Sequence, residues 1–328
     1  LPLPHSNYPA IPVDRGQKVS IVIPSDNLRM LKSCIQNIIA KTNYRNLQIV
    51  PVTNSSVAEK LEEIKFDREV RVCRYDKPFN FSDKCNEGGR FADGDVLVFY
   101  NDDVTPFRRD WLTRLLEMLE IPGVGAVSPL LLQRDEQTIQ YAGMIAGTPG
   151  ICGTAFNGFA AALPEQNPFH HLLIRDVSVL SGACFAIRRN LFIETLFDAA
   201  HTPNGNSDVD FSFRLIEKGW RCVYNPYSVV VHIGNHSWEP KDRVDKSDIF
   251  MLRHWGDMLE EDPLFPDPLK KQMYEDFRFA YKIYAAPRGQ GEGKDILFVT
   301  HELSLTGAPI ALLELIQIAR ERGEHPVV

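Results

Sequence analysis

Two stretches of this 328-residue chain place carboxylates where chemistry could use them. The first is Asn101-Asp102-Asp103, directly behind the apolar run 96–100 (VLVFY). Adjacent carboxylates at the end of a buried strand are costly unless a positive charge compensates them. A hard divalent cation, Mg²⁺ or Mn²⁺, is such a charge, and it takes one or two carboxylates together with substrate phosphates. Such a metal would neutralise charge developing on a departing nucleotide diphosphate. The competing reading is that Asp102 and Asp103 cap a turn, as Asp often does. The second stretch, Ser207-Asp208-Val209-Asp210, opens a helix whose Phe211, Leu215 and Ile216 face inward. Asp208 is there either a first-turn carboxylate stabilised by the helix dipole or a general base that deprotonates an acceptor hydroxyl, worth roughly 10²–10⁴-fold in rate. Spacing alone leaves both open. His232, closing the run VVVH, reads as a satisfied rim residue or as a third ligand to metal or phosphate. His236 does not share a face with it, and His170-His171 read as surface. Trp111, Trp220, Trp238 and Trp255 read as core or acceptor-groove aromatics.

These residues need a frame. Residues 1–18, with four prolines and no apolar periodicity, read as a linker. Val19–Ile23 is a short continuous apolar run, the mark of a strand buried on both faces. Leu28, Leu31, Ile35, Ile38 and Ile39 then recur at helical spacing. Strands are predicted at 48–52, 71–75 and 96–100, with helices at 57–64, 82–91 and 111–119 between and after them. That alternation predicts an α/β fold with a doubly wound, mostly parallel, Rossmann-like sheet. Ligands of such sheets sit outside the carboxyl ends of the strands, which selects Pro24–Asn27, Thr53–Ser56, Pro78–Asn86 and Asn101–Val104 as the site wall. Further on, 143–164 reads as a loop-rich insertion, 177–180, 184–187 and 229–232 as strands, and 208–218 as a helix. Residues 247–280 read as an interrupted helical extension and 288–294 (RGQGEGK) as a flexible linker. A strand at 296–300, a turn at 304–309 and a helix at 310–322 look like the truncated start of another α/β domain. The domains are therefore read as 19–240, 241–287 and 295–328, and Leu1 and Val328 as cut ends of a longer chain.

Composition narrows the function. With 44% hydrophobic and 24% charged residues the chain can bury an ordinary core. A net charge of −7 argues against a nucleic-acid surface. Six scattered cysteines without a CxxC pair read as reduced thiols of a cytosolic protein. No run approaches the roughly 20 apolar residues of a membrane span.

The segments VSIVIP, IVPVTNSS, RYDKPFNFS, VLVFYNDDV, DWL, GVGAVSP, IQYAG, RDVSVLSGACFAIRR, SDVDFSFRLIEKGWRCVYNP and VVVH follow one another in an order that resembles the family 2 glycosyltransferases of bacterial surface polysaccharide synthesis, including O-antigen and rhamnan-type transferases. The resemblance runs from about residue 18 to 270. It implies a GT-A fold and inverting, single-displacement transfer from a nucleotide-diphosphate sugar to a saccharide or lipid-linked acceptor. It places Asn101-Asp102-Asp103 at the DxD-type motif with Asp103 on the metal, and Asp208 at the catalytic base. Pro24 and the residues after it fall at the nucleotide loop, Ser181 and Gly182 along the donor sugar, and His232 near metal or diphosphate. A lipid-linked acceptor would call for peripheral contact at the inner face of the plasma membrane. Three departures stand out: Thr53-Asn54 where the family has acidic residues after the second strand, Asn101 where the metal motif usually begins with Asp, and Ser25-Asp26 in place of Thr-Tyr or Thr-Lys. Thr53, Asn101 and the fragmentary second domain motivate an alternative, a non-catalytic nucleotide- or glycan-binding domain. A sugar nucleotidylyltransferase would need a Gly-rich basic loop that Pro24–Leu28 lacks. The C-terminal ILFVTHELSLTGAPIALLELIQIARERG resembles the start of a GT-B, family 4 transferase, implying a further transferase domain.

Overall fold

The computed structural model describes residues 11–14, 16–147, 151–161, 173–234, 246–260, 262, 264–265, 295–297 and 307–327. Most of the 1–18 linker, His170-His171, His236, Trp238, the 288–294 linker and the expected boundaries at 240 and 287 lie outside these residues.

The first half alternates as the apolar pattern requires. Strand β1 (Val19–Pro24) runs into helix α1 (Leu28–Lys41), followed by β2 (Leu47–Thr53) and α2 (Ser55–Glu62). Two short strands, β3 (Glu69–Val70) and β4 (Cys73–Arg74), stand where one strand over 71–75 was expected; Arg71 N still donates to Ile49 O, and the pairing with β2 resumes at Cys73. Helix α3 (Phe81–Phe91), β5 (Val96–Tyr100), β6 (Val104–Pro106) and α4 (Trp111–Leu119) complete this half. Strands β1, β2 and β5 are buried along their whole length, which is why they read as unbroken apolar runs.

The second half turns the sheet mixed. It contains β7 (Val124–Leu132), the short strands β8 (Ile139–Tyr141), β9 (Met144–Ala146), β10 (Cys152–Thr154) and β11 (Arg175–Asp176), then β12 (Cys184–Arg188), α5 (Arg189–Thr195), α6 (Ser207–Glu217) and β13 (Arg221–His232). The main path of the sheet is β11-β13-β7-β12-β5-β1-β2-β3. Pairs β1–β2, β1–β5, β2–β3 and β7–β13 are parallel, whereas β12 lies antiparallel between β5 and β7. The strand expected at 177–180 is displaced: Arg175–Asp176 pairs with β13, and Val179 makes only an isolated bridge to Met144.

Beneath β5 and β12, Phe99, Phe185, Phe192, Phe197 and Phe211 form one aromatic cluster, with ring centroids 4.5 Å apart for Phe99–Phe192 and 4.6 Å for Phe197–Phe211. Phe211 belongs to α6, so the cluster ties that helix to the central strands. Helices α7 (Lys246–His254) and α8 (Gly256–Glu260) follow, with Trp255 buried between them, while Trp111 is core and Trp220 partly exposed. Strand β14 (Asp295–Leu297), helix α9 (Gly307–Glu321) and strand β15 (His325–Val327) form a small parallel unit.

Candidate active site

The carboxyl ends of β1, β2 and β5 lie side by side, and the loops leaving them are cross-linked. Pro24 is buried and pairs with Val52, which fixes where the next residues leave the sheet. Ser25 Oγ donates to Asp102 Oδ2 (2.5 Å) and accepts from the Asn27 amide (3.0 Å). Asn27 in turn caps α1 by accepting from Met30 N (3.1 Å). Asp26 Oδ1 accepts from the Asn54 amide (2.9 Å) and the Thr53 hydroxyl (3.3 Å), and lies 2.6 Å from Lys84 Nζ.

The loop after β5 carries Asn101, Asp102 and Asp103. Asn101 N donates to Ala183 O (2.9 Å), and Cys184 pairs with Tyr100, so the Ser181–Cys184 segment runs alongside this loop. Strand β6 pairs antiparallel with the end of β13, putting Val104 opposite His232 and bringing Asp103 to the imidazole. Asp103 Oδ1 lies 3.2 Å from His232 Nε2, and Oδ2 accepts from Gly234 N (3.2 Å). His232 Nδ1 is 2.6 Å from Gln140 Oε1, and Nε2 is the nitrogen that faces Asp103. Burial works to raise the Asp103 carboxyl, but the His232 hydrogen bond and charge outweigh it and hold the group below its ordinary value. Burial, with the Asp103 charge adding to it, raises Asp102 against the opposing Ser25 hydrogen bond. Two identical neighbours are thus driven apart.

Asp208 opens α6. Its Oδ2 accepts from Gly182 N (2.8 Å) and its Oδ1 from Val209 N (3.0 Å), while Ser212 Oγ donates to its carbonyl. Burial raises its carboxyl above the ordinary value despite those amides. Through Gly182 it is tied to the segment that Asn101 also grips, so Asp208 and the Asp102-Asp103 pair flank one strip of chain at the sheet edge. The next carboxylate on the helix, Asp210, is buried and holds Arg214 (2.8 Å) and Trp255 Nε1 (2.9 Å). It anchors α6 to the following helices.

Asn101, Asp102, Asp103, His232, Ser25, Asp26, Ser181, Gly182 and Asp208 therefore converge, and three other expected wall residues take different roles. Asn86 clasps the backbone of Phe197, donating to its carbonyl (2.9 Å) and accepting from its N–H (2.8 Å), so its amide serves packing. Thr53 is fully buried and its hydroxyl supports Asp26 without reaching the surface. The Asn54 side chain caps α2, its Oδ1 accepting from Val57 N (3.1 Å). Sequence reasoning included Lys84 only as part of the span Pro78–Asn86, without its pairing to Asp26, and it missed Gln140 and the Gly234 amide. Lys84 had a signal: it lies on the buried face of α3 with Cys85 and Gly88, and lysine is almost never fully buried without a partner.

Among the described residues no three His, Cys, Asp or Glu side chains form a cage for a metal ion. The donor set is narrower: Asp103 Oδ1 and His232 Nε2 converge, and a cation that displaced the proton between them would complete its shell with phosphate and water. No helix among the described residues is long and apolar enough to cross a membrane, and all six cysteines are free.

The α/β fold is of the GT-A type. The mannosyltransferase PcManGT of Pyrobaculum calidifontis, solved with GDP-Man and Mn²⁺, matches with a TM-score of 0.55 at 17% identity, covering 83% of this chain and 74% of that one. The uncharacterized protein y4gI of Sinorhizobium fredii is 30% identical over 283 residues, 80% of this chain and 30% of that protein. The O-antigen biosynthesis protein RfbC of Myxococcus xanthus is 32% identical over 229 residues, 67% of this chain and 18% of RfbC. The chain thus spans less than a third of the length of either relative. The sequence model for glycosyl transferase family 2 matches residues 20–196, more than half of the 328 residues, and the chain belongs to that family.

Proposed function

We infer that this chain transfers a sugar from a nucleotide-diphosphate donor to an acceptor hydroxyl with inversion, in bacterial cell-surface polysaccharide synthesis. The observation that carries the reading is the meeting of two acidic groups across the Ser181–Cys184 strip: Asp102-Asp103 on one side through Asn101, and Asp208 on the other through Gly182. Asp103 and His232, with Asn101 beside them, would hold Mg²⁺ or Mn²⁺. A bound cation would supply charge neutralisation to the departing diphosphate.

The residues of the chain do the rest. Ser25 and Asp102 bind the nucleotide loop to the acidic loop and keep the donor end of the site in register. Asp208 takes the proton of the acceptor hydroxyl as that oxygen attacks the anomeric carbon from the face opposite the diphosphate. Its raised carboxyl suits a base, since a more basic carboxylate draws the proton more strongly. The Gly182 and Val209 amides hold both its oxygens in place. The relation to RfbC supports the polysaccharide pathway, and the Mn²⁺ bound by PcManGT supports a divalent cation. A saccharide or lipid-linked saccharide acceptor at the inner face of the plasma membrane fits that pathway.

The test separates binding from transfer. Thermal shift against nucleotide sugars, with and without Mn²⁺, selects the donor; a ligand at 100 times its Kd stabilises by about 2.7 kcal/mol. Asp103→Ala should lose the Mn²⁺-dependent part of that shift. Asp208→Ala should keep the shift and lose release of nucleoside diphosphate to acceptor. Folded variants that both turn over like wild type would overturn the assignment.

A further inference from the structure

The nucleoside end of this site holds groups that the transfer step does not use. Asp26 Oδ1 lies 2.6 Å from Lys84 Nζ and accepts from Thr53 and Asn54, and among the described residues no hydrogen bond is made to its Oδ2. The Asp26 side chain is 34% exposed, whereas Lys84 is at 0%. The Lys84 ammonium sits 5.4 Å from the Tyr75 ring centroid and 5.2 Å from that of Phe79. Tyr75 is buried; Phe79 is 54% exposed. One ammonium therefore holds together a carboxylate with a free oxygen and an aromatic ring largely open to water. They stand at the carboxyl ends of β1 and β2, where open α/β sheets take nucleotides.

We propose that Asp26 and Phe79 read the base of the donor, and that the base is uracil or thymine. This rests on the nucleotide-sugar reading given above. Phe79 supplies the stacking face, and Asp26 Oδ2 accepts the imide N3–H. The count of free acceptors makes the choice. Guanine presents N1–H and its amino group as a fork that both oxygens of a carboxylate would have to meet, and Oδ1 already serves three donors. Cytosine and adenine place an amino donor beside a ring-nitrogen lone pair on that edge, so a carboxylate that accepts from the amino group also meets the repelling lone pair. A uracil or thymine imide has a single N–H and needs a single oxygen. Asp26 thereby does for the base what Thr53, buried and uncharged, cannot.

Calorimetric titration of the whole chain with Mn²⁺ and UDP, TDP, CDP, GDP, ADP or N3-methyl-UDP tests this. UDP and TDP should bind at least about tenfold more tightly than CDP, GDP, ADP and N3-methyl-UDP, the cost of an unmet buried acceptor. Phe79→Ala, at an exposed ring, should keep the unfolding temperature and weaken UDP by roughly fivefold or more, as loss of base stacking does. Asp26→Asn should collapse the preference for UDP over CDP. Because that variant removes the counter-charge of Lys84, the N3-methyl comparison on the unaltered chain carries the argument if it fails to fold. Equal affinity for UDP and N3-methyl-UDP, a preference for GDP or CDP, or an unaffected Phe79→Ala would each overturn the proposal. Binding of no nucleoside diphosphate at all would overturn the donor-site reading and this one with it.

Discussion

Gly182 offers the sharpest probe of how the acidic residue on α6 is held. Its amide donates to Asp208 Oδ2 at 2.8 Å, and a Cβ added there would stand 3.2 Å from the same oxygen, 3.3 Å from Asp208 Cβ and 3.4 Å from Cγ. Those contacts are tight enough that Asp208 must retreat by a few tenths of an ångström, yet not so tight that the fold must break. Where a 1 Å misplacement costs about 100-fold in rate, Gly182→Ala should cost about four- to tenfold in kcat. Its stability should barely change, because losing glycine's freedom in the unfolded chain returns about 0.4–1 kcal/mol. The weakened amide bond was lowering the Asp208 carboxyl, so the acidic limb of the rate profile should also move to higher pH. The assay is release of nucleoside diphosphate across a pH series, for Gly182→Ala alone and in the Asp208→Asn background. Because the methyl acts only through Asp208, the double variant should be no slower than Asp208→Asn. A full rate in Gly182→Ala, or the same fold-loss with and without Asp208, would refute the reasoning.

Three further outcomes are expected. In the unaltered chain the rate should fall on acidification through a value above the ordinary 3.8 of aspartate, because Asp208 must be ionised to act and burial raises its carboxyl; a pH profile of kcat/KM checks this. Trp255→Phe removes the 2.9 Å bond to Asp210, which is 1% exposed, and should cost about 1–3 kcal/mol of stability by denaturant unfolding, with nucleotide affinity unchanged. Asn86→Ala strands the N–H and carbonyl of Phe197 and should cost about 2–4 kcal/mol, again without altering nucleotide affinity in the folded protein. A selective loss of nucleotide binding in Asn86→Ala would return that residue to the site.

The first half of the fold is legible because its central strands are buried on both faces. Val96–Tyr100 and Trp111–Leu119 fall where the apolar runs place them. The second half is not, and β7 shows why. Gly125, Ser128 and Pro129 interrupt the apolar run, although all nine residues are buried. Ser128 is tolerated because its hydroxyl meets Tyr141 OH (2.6 Å), a partner 13 residues away that no local pattern reveals. The antiparallel insertion of β12 is equally silent, since a five-residue apolar strand carries no mark of direction. The site follows the same division. Asn101–Asp103 is visible because charge follows a buried strand at once. His232 finds Asp103 only through the β6–β13 pairing, and Lys84 finds Asp26 only through the packing of α3 on β1 and β2. What sequence hides is pairing over distance.

The same hidden pairings let one sheet edge hold several aspartates and still admit a diphosphate. Unpaired, Asp26, Asp102, Asp103 and Asp208 would repel the donor and one another. Each is met differently. Lys84 offsets Asp26 at 2.6 Å, and His232 with the Gly234 amide engages Asp103. Burial and the Asp103 charge raise Asp102, while Ser25 hydrogen-bonds it. Burial raises Asp208, which two amides hold. Asp103 is held below the ordinary value by its basic partner His232. Burial raises Asp208, and among the described residues no cationic side chain is paired with it. Moving a positive side chain to Asp208 would lower its basicity, and withdrawing His232 from Asp103 would remove what keeps that carboxyl low. The division of labour therefore resides in the neighbours of four identical side chains, and the fold is what assigns those neighbours.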